Sequence, residues 1–187
     1  TLNMGDEDDF NVGKIRYQHT DNAMYFFASD AERLRIDENV VRITGFTSTT
    51  AGMGVTGGLF EGAFIKAGKL SDNKTLGIST ANVFYFTTQE TTTATPDIRW
   101  NDSYTLSSKM AVGDVASVTV ITTAAAAGYC ANWTIDGTAV TEQWNGGSAP
   151  SAGGSDGYDI YTHTLVRKAT GTGDTGWLMF SNVSNFT

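Results

Sequence analysis

Alternating apolar and polar residues mark three short runs near the start of the chain. In Gly13–His19, Ile15 and Tyr17 alternate with polar residues, the period of two that predicts a half-buried strand. Ala23–Phe27 and Arg33–Asp37 follow, after Thr-Asp-Asn and Ser-Asp-Ala-Glu corners whose Asp and Asn favour tight turns. The pattern therefore predicts a three-stranded antiparallel meander with one apolar face.

The sequence around this meander offers little to cover its apolar face. A three-stranded sheet needs a surface to pack against, and no helix is predicted after it. A lone chain would expose Tyr17, Tyr25 and Phe27 or their neighbours, an unusual patch for a soluble monomer. We therefore expect residues 1–45 to pack against neighbouring copies of the chain.

Two further segments follow. Residues 46–80 place single apolar residues between glycines, and each glycine costs a helix about 1 kcal/mol relative to alanine. This segment reads as a connection of short strands and tight turns. Residues 81–187 are predicted to form a β-sandwich or jelly-roll-like head, with a hairpin turn at Asp136-Gly137. The predicted strands of the head are Asn82–Thr88, Ile98–Asn101, Tyr104–Met110, Val115–Thr123, Tyr129–Asp136, Thr138–Trp144, Tyr158–Lys168 and Trp177–Val183.

Composition narrows the classes of partner. The 187 residues include 20 acidic and 12 basic ones, and a net charge of -8 disfavours a nucleic-acid partner. No apolar run approaches the roughly 20 residues that a membrane helix needs, so we expect no membrane insertion. The single cysteine, Cys130, is predicted to be a small buried residue. Because the chain begins at Thr1, we expect it to be a piece of a longer protein.

Motifs with possible chemistry favour neither a cofactor nor a metal. Gly52–Gly57 matches the dinucleotide-binding glycine pattern but lacks the hydrophobic strand before it. Gly5–Asp9 is predicted to be a solvated acidic turn, since it lacks the ligand spacing of an EF-hand. His19 and His163 lack zinc spacing, although three copies of His19 meeting on a threefold axis remain an open alternative.

Two long polar loops, Asn145–Gly157 and Thr170–Gly176, are the predicted places for recognition. Loops held by a rigid scaffold commonly carry binding residues. Aromatic residues bracket the longer loop and are candidates for stacking on a ligand, while a nearby amide and a carboxylate are candidates for hydrogen bonding to hydroxyls. The candidate binding residues are Trp144, Asn145, Asp156 and Tyr158.

The sequence also resembles a known family. The segment "GKIRYQHTDNAMYFFASDAERLRIDENV" resembles the G-x-I-R-Y-x-H-x-D-N segment of bacteriophage tail fibre proteins, especially those of marine phages. The family usually has a glycine soon after "RID", whereas Asp37 here is followed by "ENVV". The stretch from "TPDIRW" to "HTLVRK" also looks like the terminal domain of such fibres. The matching positions in the first segment are Gly13, Ile15, Arg16, Tyr17, His19, Asp21, Asn22, Phe26, Glu32, Arg35 and Ile36.

The resemblance implies a homotrimeric, non-enzymatic tail fibre protein on the surface of a virion. Its implied partners are other copies of the chain, other tail or capsid proteins, and a host surface glycan or outer-membrane protein. The expected fold is all-β, with residues 1–45 as a trimeric meander neck. Alternatives are a head fibre or capsid decoration protein, and a free carbohydrate-binding module or adhesin.

A glycan-cleaving enzyme is a further alternative. It would need two carboxylates in one groove, about 5–9 Å apart. The acids near predicted loops are Asp136, Glu142, Asp156 and Asp159. Turn geometry accounts for Asp136, and a glycine-rich loop accounts for Asp156, so the sequence favours a binding protein over an enzyme.

Overall fold

The regular secondary structure of the chain is almost entirely β-strand. The computed structural model describes residues 1–5, 7–9, 12–38, 41–43 and 60–186. It divides the chain into two units, Thr1–Leu59 and Phe60–Thr187. Strands make up 46% of the described residues, which confirms the all-β class. The Gly52–Gly57 motif, and Asp6 of the acidic turn, lie outside the described residues.

The first unit is a five-stranded antiparallel sheet whose strands lie side by side in sequence order. Its turns are formed by residue types that are common in tight turns. Asn22, Ser29 and Asp30 have positive φ angles of 48°, 51° and 55° there. The three strands predicted in this region are present. The strands are β1 (Leu2–Met4), β2 (Gly13–Gln18), β3 (Ala23–Ala28), β4 (Ala31–Ile36) and β5 (Val41–Ile43).

One face of this sheet is covered by its own charged side chains. The guanidinium groups of Arg16 and Arg35 lie 4.8 Å and 5.3 Å from the centre of the Tyr25 ring, a cation–π arrangement. The Tyr25 hydroxyl donates a hydrogen bond to Asp21. Tyr25 is therefore only 6% exposed. The expectation that a lone chain exposes Tyr25 is wrong, because the arginines on the neighbouring strands cover it.

The opposite face is apolar across all five strands. Cross-strand pairs such as Tyr17 with Met24 and Ile36 with Val41 place apolar side chains next to one another. Tyr17 is 46% exposed, and most of its neighbours on this face are exposed as well. We call this surface the apolar face. It consists of Leu2, Met4, Ile15, Tyr17, Met24, Phe26, Leu34, Ile36, Val41 and Ile43.

The second unit contains a six-stranded and a four-stranded sheet. The six-stranded sheet has the order β13-β15-β14-β10-β8-β6, formed by Glu142–Trp144, Trp177–Phe186, Tyr158–Arg167, Val115–Thr122, Val83–Phe86 and Ala63–Lys66. The four-stranded sheet has the order β12-β11-β9-β7, formed by Thr138–Ala139, Thr134–Ile135, Asp97–Arg99 and Thr75–Gly77. A 3₁₀ turn (Leu106–Ser108) and a short helix, α1 (Gly173–Gly176), complete the described elements.

Along β6 to β11 the chain passes back and forth between the two sheets. Strands β6, β8 and β10 pair in parallel, and so do β7, β9 and β11. Parallel neighbours cannot be joined by a tight turn, so each connection must cross over. Here the crossover contains a strand of the other sheet. Residues 60–80, which the sequence assigned to a connecting segment, thus contribute β6 and β7 to these sheets.

Both sheets contribute to one hydrophobic core. Leu76, Ile98 and Ile135 come from the four-stranded sheet, while the long strands β14 and β15 supply residues such as Leu165 and Met179. Trp133, Trp177 and Cys130 are also buried in this core, as predicted for the cysteine. Burial of apolar area stabilises a fold by about 25 cal/mol per Å². The core therefore holds the two sheets together.

A buried carboxylate holds the loop that precedes β9. Glu90 is fully buried, and its carboxylate accepts hydrogen bonds from the backbone and hydroxyl of Ser71 and from Thr91 and Thr92. Desolvation would raise the pKa of Glu90, but these hydrogen bonds outweigh it and lower the pKa. The ionised carboxylate thus connects the turn after β6 to the turn after β8.

Some predicted strands differ from the structure. The predicted strand Tyr104–Met110 is absent, and the 3₁₀ turn Leu106–Ser108 lies within it instead. The predicted strand Thr138–Trp144 is divided between the two sheets, as β12 and β13. The division falls at Thr141, whose backbone N–H and hydroxyl both donate to Asp174, each at 2.6 Å.

The hairpin predicted at Asp136-Gly137 is confirmed, and it also explains the 3₁₀ turn. Both residues have positive φ, as a two-residue hairpin of this kind requires. The Asp136 carboxylate accepts hydrogen bonds from the backbone N–H groups of Leu106 and Ser107, at 2.6 Å and 2.9 Å. It also accepts one from the Ser107 hydroxyl at 2.7 Å, while Trp177 Nε1 donates to that hydroxyl oxygen.

We expect Asp136→Ala to destabilise the chain by about 3 kcal/mol, because it removes hydrogen bonds to a charged group and strains a positive φ. Asp136→Asn is the matched control. Asparagine tolerates the same backbone and keeps one acceptor oxygen, so its loss should be less than half as large. Urea unfolding would measure both free energies. Unchanged stability of Asp136→Ala would contradict this role for the carboxylate.

Candidate functional site

The outer surface of the six-stranded sheet is the candidate binding surface of the second unit. Along β14, His163 and Leu165 point into the core, while Thr162 and Thr164 are exposed on the outer side. Strand β15 alternates in the same way. Two depressions lie on this outer surface, one near β13 and one near β6.

The depression near β13 is an open groove of about 440 Å³. We call it the amide groove, because three of its residues carry side-chain amides. Phe180 is 49% exposed and contributes the exposed aromatic ring. The lining residues are Gln143, Trp144, Asn145, Thr162, Thr164, Phe180, Ser181 and Asn182. Each of these side chains is neutral.

Hydrogen bonds hold the end of the groove nearest the long loop. The backbone N–H of Asn145 donates to the carbonyl of Ser181 at 2.8 Å. The Asn145 side-chain amide donates to Asn182 Oδ1 at 3.4 Å, and Asn182 Nδ2 donates to the Ser184 hydroxyl at 3.3 Å. The amides are therefore oriented by the sheet itself.

Trp144 lies at the edge of this groove but packs mainly inward. It pairs across strands with Ser181, whose side chain is buried. Its ring meets His163 edge-on, with 6.0 Å between ring centres, and it packs against the hydrophobic core. Of the predicted site residues, the structure therefore brings Asn145 and part of Trp144 into the groove.

Tyr158 lies in the second depression, which is apolar. This depression has a volume of about 460 Å³ and is lined by Ala63, Ile65, Tyr85, Ile121, Tyr158, Ile160 and Phe186. Tyr158 meets Tyr85 edge-on at 6.1 Å. Along β14 it is five residues from His163, about 17 Å at 3.4 Å per residue. Trp144 and Tyr158 therefore belong to different depressions, and Asp156 is exposed in the turn before Tyr158.

Sequence reasoning missed Phe180, Gln143, Thr162, Thr164 and Asn182. The signal that could have found them is strand alternation. In Trp177–Phe186 the residues Trp177 and Met179 are buried, so Phe180 must point outward among polar neighbours. An aromatic residue on the polar side of a strand is the feature to look for.

The acids considered for glycan cleavage mostly accept hydrogen bonds from the chain. Asp136 binds the 3₁₀ turn, and Glu142 Oε1 accepts from the Trp133 backbone N–H at 2.7 Å. Asp159 is buried and accepts from the Gly154 backbone and from Asn185. These contacts fix loops rather than line the amide groove. The prediction that the chain is not an enzyme stays a prediction.

The second predicted loop, Thr170–Gly176, is also tied to its surroundings. Arg167 donates to the Gly171 carbonyl at 2.8 Å, and Asp174 accepts from Thr141. Gly173 packs so closely on Ala139 that an added Cβ would lie 2.5 Å from the Ala139 carbonyl oxygen. This loop, which joins β14 to β15, is therefore packed against β12.

A buried histidine lies beneath the amide groove. His163 Nδ1 is 2.8 Å from the Ser181 hydroxyl, and its ring lies 4.0 Å from the ring of Trp133. Desolvation lowers the pKa of His163 to about 3. In the unfolded chain a histidine titrates near pH 6.5, at about its reference pKa. Because the unfolded state binds this proton more readily, stability falls as the pH drops below about 6.5.

We expect lowering the pH from 7 to 5 to cost the wild-type chain about 2 kcal/mol through His163 alone. His163→Gln should lose that part of the pH dependence, because glutamine does not titrate. His19→Gln is the control, since His19 is exposed and lies beside Tyr17. Unfolding at the two pH values measures the difference. An unchanged pH slope in His163→Gln would contradict the assignment.

Comparisons with known proteins leave the family open. No family model matches the sequence, and searches of curated proteins and of solved structures found no significant match. Within the described ranges, no cluster of three or more His, Cys, Asp or Glu residues could hold a metal ion. The helices of those ranges lack the length and apolar character needed to cross a bilayer.

Proposed function

We propose that the chain is part of a homotrimeric virion fibre, with a tail fibre as the best-supported type, and that it attaches the virion to a host cell surface. The first unit is the trimeric neck, and the second is a jelly-roll-like head that carries the receptor-binding surface. The protein would lie on the outside of the virion, bound to other tail or capsid proteins. The observation that carries the proposal is the apolar face of the first unit.

The apolar face is expected to be buried against another protein surface. Ten apolar side chains form one continuous surface, while the other side of the sheet is covered by Arg16, Arg35 and neighbouring aromatic rings. Exposed patches of this extent mark interaction sites. A sheet with one apolar and one charged side is suited to pack its apolar side against identical sheets.

We favour identical copies of the chain as the partners that bury this face, because most soluble oligomers are closed, symmetric assemblies of identical chains. The number three rests on the resemblance of Gly13–Ile36 to phage tail fibre segments. In such a trimer the core of the neck would be shared. This accounts for a chain that has few apolar residues around its first sheet.

Attachment is supported by the exposed outer surface of the second unit. The six-stranded sheet presents the amide groove and the apolar depression on one side, over a rigid core. A rigid scaffold with exposed aromatic and amide side chains is suited to recognition. Three copies would also convert weak contacts into firm binding through avidity.

We expect the chain to sediment as a trimer at micromolar concentration, with three times the 20.0 kDa mass of one chain. Val41→Lys should shift it to the monomer, because an unpaired charge buried in the neck costs several kcal/mol. Val115→Lys is the matched control, since both valines are 59% exposed and Val115 lies in the second unit. Analytical ultracentrifugation measures all three masses.

A folded wild-type monomer would overturn the trimer, as would identical behaviour of the two lysine variants.

Attachment to host cells has its own test. Fluorescently labelled chain is incubated with a panel of bacterial strains, and cell-bound fluorescence is counted. The wild type should bind at least one strain, and Val41→Lys should lose most of that binding with its avidity. Absence of binding across a broad panel would count against the attachment role.

A further inference from the structure

No charged side chain lines the amide groove, which is unusual for a protein with this many charged residues. The chain carries 32 charged side chains, 20 acidic and 12 basic, yet all eight residues that line the groove are neutral. A site for a phosphate, a carboxylate or a cation would place an opposite charge near the ligand. The groove is therefore suited to a neutral ligand.

The polar groups of the groove both donate and accept hydrogen bonds. Gln143 and Asn145 are exposed, and each carries a carbonyl oxygen and an NH₂ group. Thr162 and Thr164 add two exposed hydroxyls on the neighbouring strand. A ligand whose own groups also both donate and accept, such as a sugar hydroxyl, can pair with every one of them.

Phe180 supplies the apolar contact at the middle of this surface. Its cross-strand partners are Gln143 on β13 and Thr164 on β14, so polar side chains flank the ring on both sides. Asn182 follows it on the same side of β15. An aromatic ring gives a large contact area at a low entropy cost. The ring can cover the C–H side of a sugar while the flanking groups bind its edge hydroxyls.

We propose that the amide groove binds a neutral saccharide, with Phe180 as the stacking residue and Gln143, Asn145 and Asn182 as hydrogen-bonding residues. Its volume of about 440 Å³ lies within the roughly 300–1,000 Å³ typical of small-molecule sites. The inference deepens the attachment role proposed above and rests on it for its biological meaning. It moves the site from the Trp144–Tyr158 loop to the outer strands β13, β15 and β14.

A peptide fits the groove less well. An extended peptide would need pockets for alternate side chains in addition to backbone partners. The apolar lining here is a single exposed ring, and the apolar depression that could hold further side chains lies toward the other edge of the sheet. The amide groove therefore favours a compact ligand covered with hydroxyl groups.

The chain itself offers a matched pair of variants. Phe180 and Phe186 lie on the same strand, point to the same side of the sheet and are 49% and 53% exposed. Phe180 lines the amide groove, whereas Phe186 lines the apolar depression. Phe180→Ala should therefore remove saccharide binding, while Phe186→Ala should leave it intact. Asn182→Ala tests the amide contribution independently of the ring.

The test uses the full chain and saturation-transfer NMR. The probes are the methyl glycosides of glucose, galactose, mannose and N-acetylglucosamine, with N-acetylneuraminic acid and a blocked tetra-alanine peptide for comparison. At least one neutral glycoside should bind with millimolar affinity. Phe180→Ala should weaken it by about tenfold or more, the effect of losing a central aromatic contact, and Asn182→Ala by a smaller factor.

Each other outcome is decisive. Binding of the acidic sugar or the peptide alone would overturn the proposal, and so would equal losses in Phe180→Ala and Phe186→Ala. If the trimer adsorbs to cells but no glycoside binds, the groove is not the site and the attachment role stands. If a glycoside binds through Phe180 but no strain adsorbs the trimer, the groove is a saccharide site and the attachment role fails.

Discussion

The parallel pairing of β6, β8 and β10 is the constraint on which the second unit depends. Because parallel neighbours need a crossover, the chain must leave the six-stranded sheet between each pair of these strands. It does so by adding a strand to the four-stranded sheet each time. The two sheets are therefore built together, and their common core, which includes Leu76 and Met179, forms as a result of this path.

The same architecture explains where recognition can occur. The core side of β14 and β15 is filled by Tyr161, Leu165, Trp177 and Met179. Strand alternation then sends every second residue outward, onto a surface that no second layer of the described unit covers. The position of Phe180 follows from the burial of the residues on either side of it. The amide groove is thus a product of the sheet rather than of the loops at its ends.

Local chemistry made part of this structure predictable. The corners at Asp21-Asn22 and Ser29-Asp30, and the Asp136-Gly137 hairpin, rest on residues that tolerate positive φ, so neighbouring strands could be placed from sequence. The parallel ladders could not, since Val83 and Thr119 pair across 36 residues without any local signal. Tyr104–Met110 has strand-forming residues, but backbone N–H groups within it donate hydrogen bonds to the distant Asp136 carboxylate. Trp144 was predicted at a loop edge, yet its pairing with Ser181 turns it toward the core.

The parallel ladders do not fix the lengths of the loops that flank the crossover strands β7 and β9. Twenty residues separate Ala63 from its partner Val83, and thirty-six separate Val83 from Thr119, yet both pairs align in the same sheet. Loop-closure entropy grows only slowly with length, by about 0.6 kcal/mol per doubling. Insertions into those loops, outside β7 and β9, therefore cost the fold little. An evolving lineage could lengthen such loops and so vary the ends of the two sheets while the core sequence stayed unchanged.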